Sequence, residues 1–72
     1  MRVFVNATPV DVDAGASALD CVKVWQSDEA TAVAQGRRLI TDSRGLPIAA
    51  ESIAQAGSIY RTIANRGAAA AE

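Results

Sequence analysis

Residues 17–26 carry the strongest helical pattern in this sequence, and any fold has to cover its apolar side. The apolar residues recur at positions i, i+3, i+4 and i+7, and they are Ala18, Cys21, Val22 and Trp25. Ser17 stands just before the pattern and Asp20 three residues later, which is typical of a helix that starts with a capping box. The sequence therefore predicts a main helix near residues 18–26. Trp25 is the one tryptophan of the chain, and we expect a sheet to pack over it.

Two β-rich segments precede this helix. Residues 2–6 are rich in β-forming side chains, residues 10–13 alternate strictly between apolar and polar, and a turn-forming cluster, Asn6-Ala7-Thr8-Pro9, separates them. The pattern predicts a β-hairpin that directs four valines toward the helix: Val3, Val5, Val10 and Val12. Phe4 is then left on the opposite side of the sheet.

Shorter elements are predicted after the main helix. Residues 27–36 predict a short second helix, with Ser27 as its N-cap and Gly36 as its end. Residues 38–48 predict a second hairpin with a glycine-containing turn. Because proline cannot donate a ladder hydrogen bond, Pro47 confines the last strand of that hairpin to an edge of the sheet.

The chain returns to the sheet in its last third. Residues 49–57 are an alanine-rich connection, and residues 58–64 predict the final strand, with Ile59 and Ile63 facing the helix. Arg61 shares the side of these two isoleucines. Because an unpaired buried guanidinium is costly, we expect Arg61 to reach water.

The composition limits the protein to one small core. A chain of 72 residues buries only about 60% of the surface that it exposes when unfolded. Half of its residues are hydrophobic, but sixteen of them are alanine, which adds little apolar area. We expect a single domain over residues 1–64 and a flexible tail over residues 65–72.

The same inventory excludes several classes of site and partner. With one cysteine and no histidine, the chain cannot form an intrachain disulfide or a Cys/His zinc site. A net charge of −1 argues against nucleic acid as a partner. No run of about 18 apolar residues occurs, so we expect no membrane span. These features favour a soluble, monomeric protein of the cytoplasm.

No residue pattern in the sequence indicates catalysis. Cys21 lies on the apolar side of the predicted helix, so a buried structural thiol is favoured over a reactive one. Five carboxylates have no histidine, lysine or second acid at a spacing suited to general acid–base work: Asp11, Asp13, Asp28, Glu29 and Asp42. We therefore expect no catalytic residue, no cofactor, no metal site and no enzyme activity.

Five short segments carry a family resemblance. They are the opening strand Met1-Arg2-Val3-Phe4-Val5, the helix cap Ser17, the turn Asp42-Ser43-Arg44-Gly45-Leu46, the linker aliphatic Ile53, and Ser58-Ile59 at the start of the last strand. With the order of the predicted elements, they resemble the ubiquitin-like β-grasp superfamily, in particular the ThiS/MoaD sulfur-carrier proteins. The resemblance implies an α+β fold in which a mixed sheet of four or five strands packs on one main helix. It also implies that Ile53 is buried and that the first and last strands are neighbours.

Neighbouring first and last strands would bring two aromatic side chains together. Phe4 and Tyr60 both fall on the side of the sheet away from the helix, and we expect Thr62 and Arg38 beside them. Residues 37–72 also hold five arginines, Arg66 among them, against three acidic residues. The prediction is a partner-binding surface of Phe4, Tyr60, Thr62, Arg38 and Arg66, because aromatic and arginine side chains are enriched at interfaces. The alternative is an ordinary solvated surface.

The activity of the resembled family resides in a C-terminal Gly-Gly whose carboxylate an adenylating enzyme activates. The matching pair of this carrier tail is Gly67-Ala68, and four more residues follow it. Ala68 puts a methyl group where the family has a hydrogen atom. Two functions stay open: a diverged sulfur carrier that serves an adenylating enzyme, or a small binding module or accessory subunit unrelated to sulfur transfer. Both are non-catalytic and act through protein–protein binding.

Overall fold

Four strands form one mixed sheet in the computed structural model, which describes residues 1–65. The strands are β1 (Arg2–Val5), β2 (Thr8–Asp11), β3 (Arg38–Thr41) and β4 (Ile59–Ala64), and their order across the sheet is β2-β1-β4-β3. β1 pairs antiparallel with β2 and parallel with β4, and β3 pairs antiparallel with β4. The predicted α+β class is confirmed, the mixed sheet has four strands where four or five were predicted, and the first and last strands are central neighbours.

The turn of the first hairpin contains only two residues. Asn6 and Ala7 have φ angles of 50° and 66°, as a type I′ turn requires. β2 therefore begins at Thr8, two residues before the predicted start. Pro9 is tolerated within β2 because this strand lies at the edge of the sheet.

Two helices cross one side of the sheet. α1 (Ala18–Trp25) begins with the predicted capping box: the amide of Asp20 donates to Ser17 Oγ at 3.1 Å, and the amide of Ser17 donates to Asp20 Oδ2 at 3.0 Å. α2 (Ser27–Ala34) has Gln26 as its N-cap and no side-chain cap hydrogen bond, so the predicted cap at Ser27 is wrong. Its end at Gly36, which has a φ of 80°, is confirmed.

The core lies between the helices and the inner side of the sheet. Its buried residues are Val3, Val5, Val12, Ala18, Cys21, Val22, Ala30, Ile40, Ala54 and Tyr60. Cys21 is fully buried, as predicted, and burial raises the pKa of its thiol. Trp25 and Val10 are only partly buried and pack against this cluster from its margin.

β4 faces the opposite way from the prediction. Ile59 and Ile63 are 45% and 43% exposed, whereas Tyr60 and Thr62 are buried. The register explains the reversal, because Val5 pairs with Tyr60 and thereby sets Tyr60 on the buried side. Arg61 is exposed, so the expectation that it reaches water is confirmed, but it does so because it lies with the two isoleucines on the side away from the helices.

The second hairpin and the linker depart from the prediction in two places. Pro47 makes only an isolated bridge to Thr41, so no strand forms over residues 46–48. Ile53 is 64% exposed, and the prediction that it is buried is wrong; Ala54 takes its place in the core. The linker is held by its backbone, since the amide of Ala54 donates to the carbonyl of Ala16 at 2.8 Å.

The end of the described chain is tied to the loop between α2 and β3. Asn65 donates from its backbone to the carbonyl of Arg37 at 3.0 Å and from its side chain to that of Gly36 at 2.8 Å. The rest of the predicted flexible tail lies outside the described residues. Over residues 1–65, neither helix has the length and apolar character needed to cross a membrane.

Candidate functional site

The side of the sheet away from the helices, here called the outer face, carries a set of apolar side chains around one arginine. In the register, Phe4 is the partner of Ile59 and Leu39 is the partner of Ile63, so the apolar pairs lie on both sides of Arg61. Phe4 and Leu39 are half-buried, and the two isoleucines are more exposed. We define the outer face by these five residues: Phe4, Leu39, Ile59, Arg61 and Ile63.

An open groove of about 580 Å³ lies at one end of the outer face and is lined by Phe4, Asn6, Ala7, Ile59 and Arg61. Its walls are fixed by backbone hydrogen bonds at the ends of β1 and β4. The amide of Phe4 donates to the carbonyl of Ser58, and the amide of Asn6 donates to the carbonyl of Tyr60, both at 2.9 Å. The groove therefore rests on the central strands of the sheet and on the tight turn between β1 and β2.

Within the described residues, Arg2 of β1 has a charged partner, whereas Arg61 of β4 has none. Arg2 forms an ion pair with Asp11 at 3.5 Å, and both side chains are well exposed. Within residues 1–65, the guanidinium of Arg61 has neither an ion pair nor a side-chain hydrogen bond. The outer face thus presents one uncompensated positive charge between apolar side chains.

A separate polar cluster joins α2 to the inner side of the sheet. The Thr62 hydroxyl donates to Glu29 Oε2 at 2.6 Å, and Arg38 Nη2 lies 3.0 Å from the same oxygen. Asn6 completes the cluster, since its Nδ2 donates to Thr62 Oγ1 at 3.0 Å and its Oδ1 accepts from the amide of Thr62 at 3.1 Å. The Thr62 hydrogen bond, followed by those of Arg38, lowers the pKa of Glu29.

Three residues of the predicted partner-binding surface are therefore placed differently. Tyr60 is 5% exposed and belongs to the core, so its predicted position on the outer face is wrong. Thr62 and Arg38 bind Glu29 of α2 and do not border Phe4. Phe4 itself lies on the outer face, as predicted. Arg66, and the carrier-tail residues Gly67 and Ala68, lie outside the described residues.

The residues that do stand beside Phe4 were not singled out from the sequence as site residues. Ile59 and Arg61 share its side of the sheet because β4 has the reversed orientation. Ala7 reaches the groove because the hairpin turn is only two residues long. Asn6 is the one local signal for such a turn, since asparagine readily adopts positive φ, whereas alanine at the second position does not favour it.

Neither an activated thiol nor a metal-binding cluster is found in the described part of the chain. Cys21 is enclosed in the core with a raised pKa, which disfavours the thiolate. In residues 1–65, no group of three or more histidine, cysteine or acidic side chains is placed to hold a metal ion. The chemistry that the outer face offers is apolar contact and hydrogen bonding from one guanidinium.

Comparisons with protein-family models, with curated proteins and with solved structures give no match to this chain.

Proposed function

We propose that this protein is a non-catalytic, ubiquitin-like β-grasp protein that acts by binding another protein through its outer face. The arrangement of the elements supports the fold assignment. β1 and β4 are parallel central neighbours, and α1 follows the first hairpin and packs against it. Neighbouring first and last strands are what the resemblance to ThiS/MoaD proteins implies.

The observation that carries the binding function is the exposed apolar groove beside Phe4. Ile59 and Ile63 place nearly half of their surface in water although each stands in a central strand. Exposed apolar groups that are grouped on one face are typical of interaction sites, in contrast to apolar residues scattered singly. Arg61 adds a side chain that is enriched at interfaces.

Of the two binding functions, the accessory role is favoured over sulfur transfer. The family needs two glycines at the reacting end, and this chain has Gly67-Ala68 there. We therefore propose a ThiS/MoaD-like binding module that has lost the carrier chemistry, with an adenylating enzyme of the same cell as the first candidate partner. We further propose that it acts as a monomer in the cytoplasm, which suits a chain with one cysteine.

A site-specific photocrosslinker tests the binding surface. Benzoylphenylalanine in place of Ile63, next to the groove, should crosslink one partner when the chain is expressed in its native host. The same probe in place of Ile53, which is exposed on the linker away from the outer face, is the matched control and should not give that product.

The second arm of this experiment alters the groove itself. Combining Phe4→Ala with Ile59→Ala should reduce the crosslinked product at least about tenfold, because the apolar contacts at the centre of an interface contribute most of its binding energy. Circular dichroism checks that the variant is folded. Equal crosslinking by the double variant, or the same product from position 53, would show that the outer face is not the binding surface.

A further inference from the structure

We propose that the groove receives an acidic-apolar segment of the partner: an extended stretch in which a large apolar side chain and a carboxylate stand two residues apart. The inference rests on the proposed binding function and adds the chemistry of the partner. Phe4 and Ile59 take the apolar side chain, and Arg61 takes the carboxylate.

The apolar part of the groove is formed by a cross-strand pair. Phe4 and Ile59 are register partners on adjacent parallel strands, so their side chains stand together on the outer face. The groove volume of about 580 Å³ is within the usual range for binding pockets, about 300–1,000 Å³. Removing a partner's apolar side chain from water against this pair supplies the binding energy.

The charge of the groove selects a carboxylate. The other arginines of the described chain are each engaged: Arg2 with Asp11, Arg38 with Glu29, Arg44 with Asp42, and Arg37 with the side-chain amide of Gln35. Arg61 alone among them directs an unengaged guanidinium at the groove. A carboxylate fits its planar pair of donors, whereas a lysine or arginine of the partner would be repelled.

The spacing within the segment follows from β4. Ile59 and Arg61 are two residues apart on one side of a strand, which separates them by about 6.8 Å along its axis. An extended segment lying along β4 has the same repeat, so the side chains that it directs into the groove are also two residues apart. The sequence pattern expected in the partner is therefore an apolar residue and an aspartate or glutamate separated by one residue, in either order.

Selection from a phage library of random dodecapeptides on the immobilised full chain tests this pattern. The expected result is enrichment of a leucine, isoleucine, methionine or phenylalanine two residues from an aspartate or glutamate, in either direction. Enrichment of apolar residues without an acidic neighbour would overturn the proposal, and so would a library that yields no binder.

The strongest selected peptide is then measured by isothermal titration in a double-mutant cycle. Arg61→Gln should weaken its binding about fivefold, the upper end for an exposed ion pair. Replacing the acidic residue of the peptide by its amide should weaken the binding by the same factor. The two changes together should weaken it no more than either change alone. Arg44→Gln, which alters an exposed arginine on another turn, is the matched control and should leave the affinity unchanged.

The outcomes separate this inference from the function on which it rests. If Phe4→Ala abolishes binding and Arg61→Gln does not change it, the outer face binds a partner but does not select acids. If neither change has an effect, the docking surface itself is wrong. Self-association in analytical ultracentrifugation that Arg61→Gln abolishes would identify a second copy as the occupant and overturn the proposal.

Discussion

At the scale of single residues, Glu29 is the carboxylate that joins α2 to the sheet. One of its oxygens accepts from the Thr62 hydroxyl of β4 and from Arg38 of β3, and its side chain is only 19% exposed. Glu29→Gln keeps the shape and removes the charge. We expect it to cost about 1–2 kcal/mol at pH 7, the usual range when a hydrogen bond to a charged group is weakened.

The same carboxylate makes stability depend on pH. The pKa of Glu29 in the folded chain lies below the ordinary value of 4.5. Its contribution to the free energy of unfolding is therefore fully present above pH 4.5, and it is lost as the pH falls from there toward the lower pKa of the folded chain. Urea unfolding of the wild type and Glu29→Gln should therefore differ most at pH 7, and the difference should shrink as the pH falls below 4.5. Asp28→Asn, in the same helical turn but exposed, is the control. A difference in stability that stays constant as the pH falls below 4.5 would contradict this assignment.

The orientation of β4 is tested by two neighbouring side chains. Tyr60 is buried in the core and Ile59 is exposed. Tyr60→Ala should cost about 3–5 kcal/mol, as other emptied aromatic sites do. Ile59→Ala should cost less than about 1 kcal/mol, because surface substitutions change stability little. Chemical denaturation of both variants measures the difference. A larger loss from Ile59→Ala would mean that the strand has the opposite orientation.

The sequence could not decide between these two orientations of β4. Ile59-Tyr60-Arg61-Thr62-Ile63 has apolar groups on both sides of the strand, and a shift of one residue exchanges the sides. The contacts that make Thr62 an inner residue come from Glu29 and Asn6, which lie far away in the chain. The positions of Val3 and Val5 were predictable because the opposite side of the first strand carries Arg2 and Asn6 on either side of Phe4, and is therefore the more polar of the two.

At the scale of elements, α1 depends on its capping box, whereas α2 has no side-chain cap. Ser17→Ala should destabilise the protein by about 1 kcal/mol, the typical cost of losing an N-cap side chain. Ser27→Ala at the start of α2 is the matched control, because the Ser27 hydroxyl caps no amide there, and it should change stability by less than half as much. Thermal unfolding followed by circular dichroism compares the two. Equal losses of stability in the two variants would show that the Ser17 side chain has no special role as the cap of α1.

The hairpin turn contains one strained position. Ala7 has a φ of 66°, where the side chain of an L-residue costs about 1–2 kcal/mol. Ala7→Gly should therefore stabilise the protein by up to about 1 kcal/mol, after the entropy of the freer unfolded chain is subtracted. Ala56→Gly, at an exposed alanine outside the left-handed region, should not stabilise it. A lower melting temperature for Ala7→Gly than for the wild type would contradict the turn type.

Elements with local signals were predicted more accurately than those held by distant contacts. The start of α1 and the end of α2 depend on residues within one turn of the helix, namely Ser17, Asp20 and Gly36. By contrast, the linker lies against α1 through backbone hydrogen bonds. For this reason no side-chain pattern indicates that Ala54 is its buried residue and that Ile53 is exposed. The candidate groove depends on the register between β1 and β4, which is also a long-range property.

At the scale of the whole molecule, the proposed loss of carrier chemistry can be tested at the tail. An adenylating enzyme from the same cell should not exchange pyrophosphate with ATP in response to the unmodified chain, because the Ala68 methyl disturbs the near-attack geometry. A chain with Ala68→Gly that ends at residue 68 should restore exchange if the enzyme is the partner. Phe4→Ala in that background is the control and should lower the response by weakened docking. Exchange with the unmodified chain would show that it is a working carrier.

The pairing of the first and last strands also decides when the protein can fold during its synthesis. Two of the backbone hydrogen bonds between the β1 region and the β4 region join residues that are 54 positions apart: Phe4 with Ser58, and Asn6 with Tyr60. At translation rates of about 5–20 residues per second, the second partner of each bond is made roughly 3–11 s after the first. A two-stranded hairpin is only marginally stable on its own. While the rest of the chain is being synthesised, β1 and β2 therefore leave Val3 and Val5 uncovered. The nascent chain therefore presents its most apolar strand to chaperones for seconds before β4 emerges and the core can close.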